Sequence, residues 1–75
     1  MMQKQIRLVE NSAVTEFVKA AEECTFDIDV CYDRVIIDGK SLLGLLGMDR
    51  SKVLTVRYYG SDAAFEKVLD KYKAA

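Results

Sequence analysis

Hydrophobic and polar residues alternate along several stretches of the chain. The clearest is Phe26–Asp33, where every second side chain is apolar and the positions between them hold three aspartates and Cys31. Alternation with a period of two is typical of a strand with one buried face. The same pattern, or a short β-branched run, predicts three further strands at Gln3–Val9, Val35–Ile37 and Val53–Tyr59.

Two longer stretches repeat apolar residues at positions i, i+3, i+4 and i+7. Asn11 or Ser12 is the predicted N-cap of the first helix, and Ser61 or Asp62 that of the last. The repeated positions are Val14, Phe17, Val18 and Ala21 in the first helix, and Phe65, Val68, Leu69 and Tyr72 in the last. Each helix therefore has one apolar face that must pack on an apolar surface.

The segment from residue 38 to residue 48 combines turn residues, a serine and four leucines. Ser41 stands where the N-cap of a short helix is expected, with its side-chain oxygen placed to accept a backbone N–H of the first turn. Gly44 and Gly47 weaken a helix of this length. Tertiary packing, rather than helix propensity, must therefore hold the segment in place.

The four leucines of this segment cannot all be buried. We expect Leu45 and part of Leu42 to enter the core, and Leu43 and Leu46 to remain partly exposed. Exposed leucines that lie together form a candidate contact patch.

The predicted order is strand, helix, strand, strand, short helix, strand, helix. Four strands and two long amphipathic helices imply an α+β open-faced sandwich, in which a mainly antiparallel four-stranded sheet carries its helices on one face. No repeat, linker or low-complexity stretch interrupts the sequence, so we expect one domain over residues 1–75.

Charge and composition narrow the function classes. The net charge of −1 provides no basic footprint for nucleic acid or for a membrane surface. No apolar run approaches the ~20 residues of a membrane helix, and no signal peptide is recognisable. We therefore expect a cytoplasmic protein without nucleic-acid or membrane partners.

The residue types needed for most simple catalytic designs are missing. The chain contains no histidine, which removes the commonest general base. Cys24 and Cys31 alone do not make a zinc site, and structural thiols are the favoured interpretation. The sequence therefore predicts a protein that is not an enzyme and needs neither metal nor cofactor.

The three aspartates of the second strand allow a metal site as an alternative. Alternate side chains along a strand are about 6–7 Å apart, so these carboxylates do not converge by themselves. Arg7 and Arg57, outward on neighbouring strands, are expected to neutralise them across the sheet. A solvated polar face is the favoured interpretation.

Gly39-Lys40-Ser41 ends like a phosphate-binding loop, but Arg34 occupies the position of the glycine that such a loop requires. The match is therefore spurious. Ser41 itself has two interpretations: a plain N-cap, which is the commoner case, or a phosphorylation site.

The stretch Gly39-Lys40-Ser41-Leu42-Leu43-Gly44-Leu45-Leu46 closely resembles the Lys-Ser-Ile-Met-Gly-Val-Met segment of HPr, the phosphocarrier of the bacterial sugar phosphotransferase system. The similarity continues with nearly even spacing from Phe17 to Tyr72. The order of elements in that family is also the order predicted above.

One segment of the family is absent. The Gly-Ile-His-Ala-Arg-Pro-Ala stretch, which starts the family's first helix and holds its phosphorylated histidine, has no counterpart here. The chain has only Ser12-Ala13-Val14-Thr15-Glu16 in its place. Neither the histidine nor its supporting arginine can be assigned, so the resemblance does not imply phosphoryl relay to sugar permeases.

The resemblance does assign Ser41 to the serine that HPr kinase/phosphorylase phosphorylates in low-GC Gram-positive bacteria. Leu42, Leu43 and Leu46, with Lys40 beside them, match positions by which the family meets partners such as the catabolite-control repressor. A family branch without the histidine, the catabolite-repression HPr-like proteins, shows purely regulatory use.

Two hypotheses therefore follow from the sequence. The first is a non-catalytic HPr-like regulatory protein, monomeric, with Ser41 as the phosphoacceptor and the leucines as a docking surface. The second is a binding or scaffold module that has the HPr fold but serves an unrelated partner, with Ser41 only a helix cap.

Overall fold

Four strands form one antiparallel sheet in the computed structural model, which describes residues 1–74. The strands are β1 (Met2–Ile6), β2 (Ile28–Tyr32), β3 (Val35–Asp38) and β4 (Leu54–Tyr58). Their spatial order is β1-β4-β2-β3, and each neighbouring pair is antiparallel. Ala75, the last residue of the predicted domain, lies outside the described residues.

Three helices complete the chain. They are α1 (Asn11–Glu22), α2 (Leu42–Leu46) and α3 (Ala63–Lys71). The apolar faces of α1 and α3 join the inward side chains of the sheet in one continuous core. The predicted α+β open-faced sandwich, with its order of elements, is confirmed.

Four aromatic rings occupy the centre of this core. Phe65 of α3 lies 5.3 Å from Tyr58 of β4 and 5.6 Å from Phe17 of α1, measured between ring centroids. Phe26, in the loop before β2, stacks on Tyr58 at 5.8 Å. Because aromatic pairs at these separations add to area burial, this cluster ties both long helices to the sheet.

The N-caps of the two long helices differ. Asp62 Oδ1 accepts the Phe65 N–H at 2.9 Å, so one of the two residues predicted for α3 is the cap. For α1 the prediction of Asn11 or Ser12 is wrong, because Glu10 is the N-cap and its side chain makes no capping hydrogen bond. The Asn11 amide oxygen instead accepts a hydrogen bond from Arg50.

The helix-free face of the sheet differs in part from the prediction. Arg57 lies opposite Asp29 in the β2–β4 register, as expected from the alternation. Asp33, however, forms its ion pair with Lys52, at 3.3 Å, rather than with Arg7. Cys31 faces this side but is buried, between Thr55 and Ile36 on the flanking strands.

Residues 72–74 cover one end of the outer edge of β1. The Arg7 N–H donates to the Tyr72 carbonyl and the Ala74 N–H donates to the Gln5 carbonyl, each at 2.9 Å. Ile6 and Lys73 form an antiparallel bridge between these two bonds. The predicted strand Gln3–Val9 is therefore shorter than expected, and Leu8 is buried beyond its end.

A polar contact joins α1 to the end of α3. The Glu16 carboxylate accepts a hydrogen bond from the Tyr72 hydroxyl and an ion-pair contact from the Lys71 ammonium at 3.0 Å. The hydrogen bond from the Tyr72 hydroxyl lowers the pKa of Glu16 below its ordinary value, and the hydrogen bond from Lys71 adds a smaller lowering effect.

Because of this contact, the folded state is expected to lose stability at acid pH. Because the folded-state pKa of Glu16 is lowered, its contribution to stability is present above the ordinary carboxyl pKa and lost as the pH falls through the folded value. Tyr72→Phe is expected to raise the Glu16 pKa toward the ordinary value, measured by NMR titration of the carboxyl carbon. Tyr59→Phe, which changes an exposed tyrosine outside this contact, should leave it unchanged. An unchanged pKa in Tyr72→Phe would contradict the assignment.

Within residues 1–74, no helix combines the length and the apolar character that crossing a bilayer requires.

Candidate functional site

The turn before α2 sets the position of Ser41. The Lys40 N–H donates to Asp38 Oδ1 at 2.9 Å, and the Ser41 N–H donates to the Asp38 carbonyl at 3.0 Å. Gly39 fits tightly against β2, because a Cβ on it would lie 2.6 Å from a methyl group of Ile28. The turn is therefore held by its own hydrogen bonds and by a close approach that excludes a side chain at position 39.

Ser41 is the N-cap of α2, as predicted. Its Oγ accepts the Gly44 N–H at 3.1 Å, and its backbone has the extended conformation usual for this position. Gly44 is required here, since a Cβ on it would approach Ile37 to 2.9 Å and Ser41 Oγ to 3.0 Å. Ser41 as a residue is partly exposed, and its Oγ is directed toward the first turn of the helix.

Replacing Ser41 with alanine is expected to lower the free energy of unfolding by about 0.5–2 kcal/mol, since the Gly44 N–H loses its acceptor. Ser41→Asn keeps a capping oxygen and should remain within a few tenths of a kcal/mol of the parent. Urea unfolding measures both variants. Equal losses in the two would show that the cap makes no contribution.

The leucines of α2 divide much as the sequence predicted. Leu45 is fully buried, and Leu42 keeps 39% of its surface. Leu43 is the most exposed, at 84%, while Leu46 is partly buried against the core. Leu43 with the exposed part of Leu42 forms an apolar patch beside Ser41, and we call these residues, with Lys40 and Leu46, the α2 surface.

The side chain of Lys40, although part of the α2 surface, has a hydrogen-bond partner within the protein. Its ammonium donates to the Cys24 carbonyl at 3.0 Å, and its side chain is partly buried. A cation at the C-terminal end of α1 suits the negative end of the helix dipole. Lys40 therefore ties the Ser41 turn to α1, a contact between residues distant in sequence.

The sequence pattern predicts a polar connection over residues 48–52 after α2, and this prediction is wrong for its first residue. Met48 is buried in the core. Arg50 donates to the Leu46 carbonyl at 3.1 Å and also to Asn11, so it joins the end of α2 to the start of α1. Ser51 donates its hydroxyl to Asp49 at 2.6 Å and lowers the pKa of that carboxyl.

The start of α1 is where the resemblance places the missing histidine segment. In this molecule α1 begins directly at Asn11, and the Glu10 carbonyl accepts its first helical hydrogen bonds from Ala13 and Val14 at 3.0 and 3.2 Å. The sequence contains no histidine at this or any other position. Among the described residues, the hydrogen-bonded side chains of Arg50 and Asn11 lie at this end of α1.

Both cysteines are free and buried. Burial, with a smaller contribution from the nearby Asp62 charge, raises the pKa of the Cys24 thiol. Its sulfur lies 3.5 Å from the Ala20 carbonyl as a weak donor. A thiol with a raised pKa is less nucleophilic at neutral pH, as the structural interpretation expects.

Comparison with known proteins gives one informative result. No protein-family model matches the chain, and no curated protein sequence does. A solved structure, the phosphocarrier protein HPr from Bacillus anthracis, superposes on the chain with a TM-score of 0.71 and 22% sequence identity, over 96% of each chain. The molecule has an HPr-like fold, which confirms the fold expected from the resemblance.

Similarity at this level of identity concerns the fold. It places the four strands and three helices of this chain in the arrangement of a phosphocarrier protein, over nearly its whole length.

Proposed function

We propose that this chain is a non-catalytic, HPr-like regulatory protein, in which Ser41 accepts a phosphate and the α2 surface binds a protein partner. The observation that carries the proposal is the position of Ser41. Ser41 is partly exposed and lies two residues before Leu43, the most exposed large apolar side chain of the described residues. A modification there acts directly on the edge of a contact patch.

In this proposal the chain only accepts a phosphoryl group and catalyses no step. A kinase takes the proton of the Ser41 hydroxyl, the Oγ forms a bond to the γ-phosphorus of ATP, and the bond to ADP breaks. The product carries about −1.5 to −2 charges beside Leu42 and Leu43. Because the chain has a net charge of only −1, this is a large local change in electrostatics.

The absence of histidine supports the non-catalytic part of the proposal. A phosphocarrier of this fold needs an imidazole nitrogen to hold the transferred phosphoryl group, and this sequence has none. Incubation with phosphoenolpyruvate and Enzyme I should therefore leave no acid-labile phosphate on the chain. Its appearance would overturn this part of the proposal.

The partner proposed for the α2 surface is a protein of the regulatory system, such as HPr kinase/phosphorylase or a catabolite-control repressor. The mixed character of the surface supports this, because it joins an apolar patch to a site where charge can be added. Partner surfaces that change with phosphorylation combine these two features.

The second candidate is a binding module with an HPr fold and an unrelated partner. The hydrogen bond from Gly44 to Ser41 Oγ favours it, since that contact alone accounts for a serine at this position. The contact of the Lys40 ammonium with the Cys24 carbonyl also favours the second candidate, because it gives Lys40 a structural role.

Purified HPr kinase/phosphorylase with ATP separates the two candidates. The parent chain should gain one phosphate, and Ser41→Ala and Ser41→Asn should gain none. Ser41→Asn keeps the cap, so its failure cannot be attributed to loss of the helix. Ser51→Ala, which changes another serine of the same region, should be phosphorylated like the parent. A parent chain that gains no phosphate favours the second candidate.

A further inference from the structure

The two edge strands of the sheet differ in what lies beside them. At residues 5–7, the outer edge of β1 is covered by residues 72–74 through two backbone hydrogen bonds. At the opposite edge, no segment within residues 1–74 pairs with the free side of β3. An uncovered edge strand offers unpaired backbone groups to a further strand.

The register of the β2–β3 ladder identifies these groups. The Gly39 N–H donates to the Ile28 carbonyl at 2.7 Å, so Gly39 faces β2. Backbone groups alternate in direction along an antiparallel strand, and therefore Ile37 and Val35 also face β2. Ile36 is the residue between them. Its N–H and C=O therefore point away from β2, toward the free edge of the sheet.

The side chains of β3 do not protect this edge. Ile36 keeps 67% of its surface and Val35 keeps 39%. The strand contains no lysine or proline, two residues that commonly block edge-to-edge pairing. Ile36 also lies opposite the buried Cys31, so it continues an apolar strip that ends at the open edge.

We propose that β3 pairs with β3 of a second copy of this chain, antiparallel and centred on Ile36, so that the two four-stranded sheets become one. In this register the two Ile36 residues exchange N–H···O=C bonds and their side chains meet on the helix-free face.

Charge complementarity favours a second copy as the occupant. A two-fold axis through Ile36 places Arg34 of each chain opposite Asp38 of the other, because both lie two residues from the centre. Arg34 and Asp38 are exposed, and neither forms an ion pair in the described part of the chain; Asp38 Oδ1 accepts only the Lys40 N–H, which leaves its carboxylate charge without a cationic side-chain partner. β3 and the turn residue Arg34 before it therefore carry opposite charges at their two ends, and this segment is complementary to itself.

The expected association is weak. A four-residue strand buries less area than a standard protein interface, so the dimer should form only as concentration rises. This differs from the monomer predicted from the sequence. The inference depends on β3 and not on Ser41, and it stands or falls separately from the proposed function.

Sedimentation equilibrium up to about 1 mM tests the pairing. Each dimer contains two pairs in which residue 34 of one chain lies opposite residue 38 of the other. Arg34→Asp makes both pairs acidic, and Asp38→Arg makes both pairs basic. Each variant alone should dissociate at least about tenfold more readily than the parent. An equimolar mixture of the two variants should associate again, because every opposed pair then has opposite signs.

Two controls complete the test. Lys19→Asp makes a charge change of the same size on the exposed side of α1 and should leave the association unchanged. Ile36→Lys should abolish association while circular dichroism shows an intact fold. A monomer at every concentration, or a dimer that none of the β3 variants weakens, would overturn the proposal.

Discussion

Replacing Phe65 with alanine is expected to lower the free energy of unfolding by about 3–5 kcal/mol. The Phe65 ring is fully buried and contacts three other rings, from α1, β4 and the loop before β2. Its removal leaves a cavity that the cluster cannot fill, since these rings are fixed on separate elements. A chain of 75 residues has a total stability of about 4–11 kcal/mol, so much of it depends on this side chain.

Urea unfolding followed by circular dichroism measures the loss. Phe65→Leu keeps most of the volume and should cost distinctly less than Phe65→Ala. Leu43→Ala is the surface control, because Leu43 keeps 84% of its surface and should change stability by less than about 0.5 kcal/mol. Similar losses in Phe65→Ala and Leu43→Ala would contradict the placement of the aromatic cluster.

Gly60→Ala is expected to cost about 2–5 kcal/mol, from two separate causes. Gly60 follows β4 with a φ of 154°, where a side chain strains the backbone. A Cβ on it would also lie 2.2 Å from the Phe26 ring, which stacks on Tyr58. The ring cannot move away without breaking that stack.

Gly47→Ala is the matched control. Gly47 has a φ of −85°, and the nearest atom to a Cβ on it is the Leu43 carbonyl oxygen at an ordinary 3.5 Å. This substitution should change the midpoint of thermal unfolding little, while Gly60→Ala should lower it strongly. Equal shifts in the two variants would contradict the assigned role of Gly60.

Patterns that repeat along an element predicted the fold well. The alternation around β2 and the i, i+3, i+4, i+7 positions of α1 and α3 name side chains that the structure buries or packs, partly buried, against the core. Such patterns are local consequences of strand and helix geometry, so a single sequence is enough to display them. The burial of Leu45 in the short helix α2 was predicted in the same way.

Contacts between distant residues could not be predicted in this way. Arg50 donates to the Asn11 side chain from 39 residues away, and Asn11 is the first residue of α1 rather than its N-cap. Lys40 reaches Cys24, and Lys52 rather than Arg7 meets Asp33. Each of these depends on how elements pack together, and no periodicity in the sequence carries that information.

The resemblance in residues 39–46 and the similarity of the whole fold support each other in different ways. The first concerns one short segment, and the second concerns the arrangement of all seven elements. In the structure, Ser41 is the N-cap of α2 and lies two residues before the exposed Leu43. Whether that serine carries phosphate is the central claim of the proposed function.

Mass spectrometry of the intact chain after incubation with HPr kinase/phosphorylase and ATP, with fragmentation to locate the modification, tests that claim most directly. We expect a single phosphate, located on Ser41. An unchanged mass, or a phosphate on Ser12, Ser51 or Ser61 instead, would contradict it.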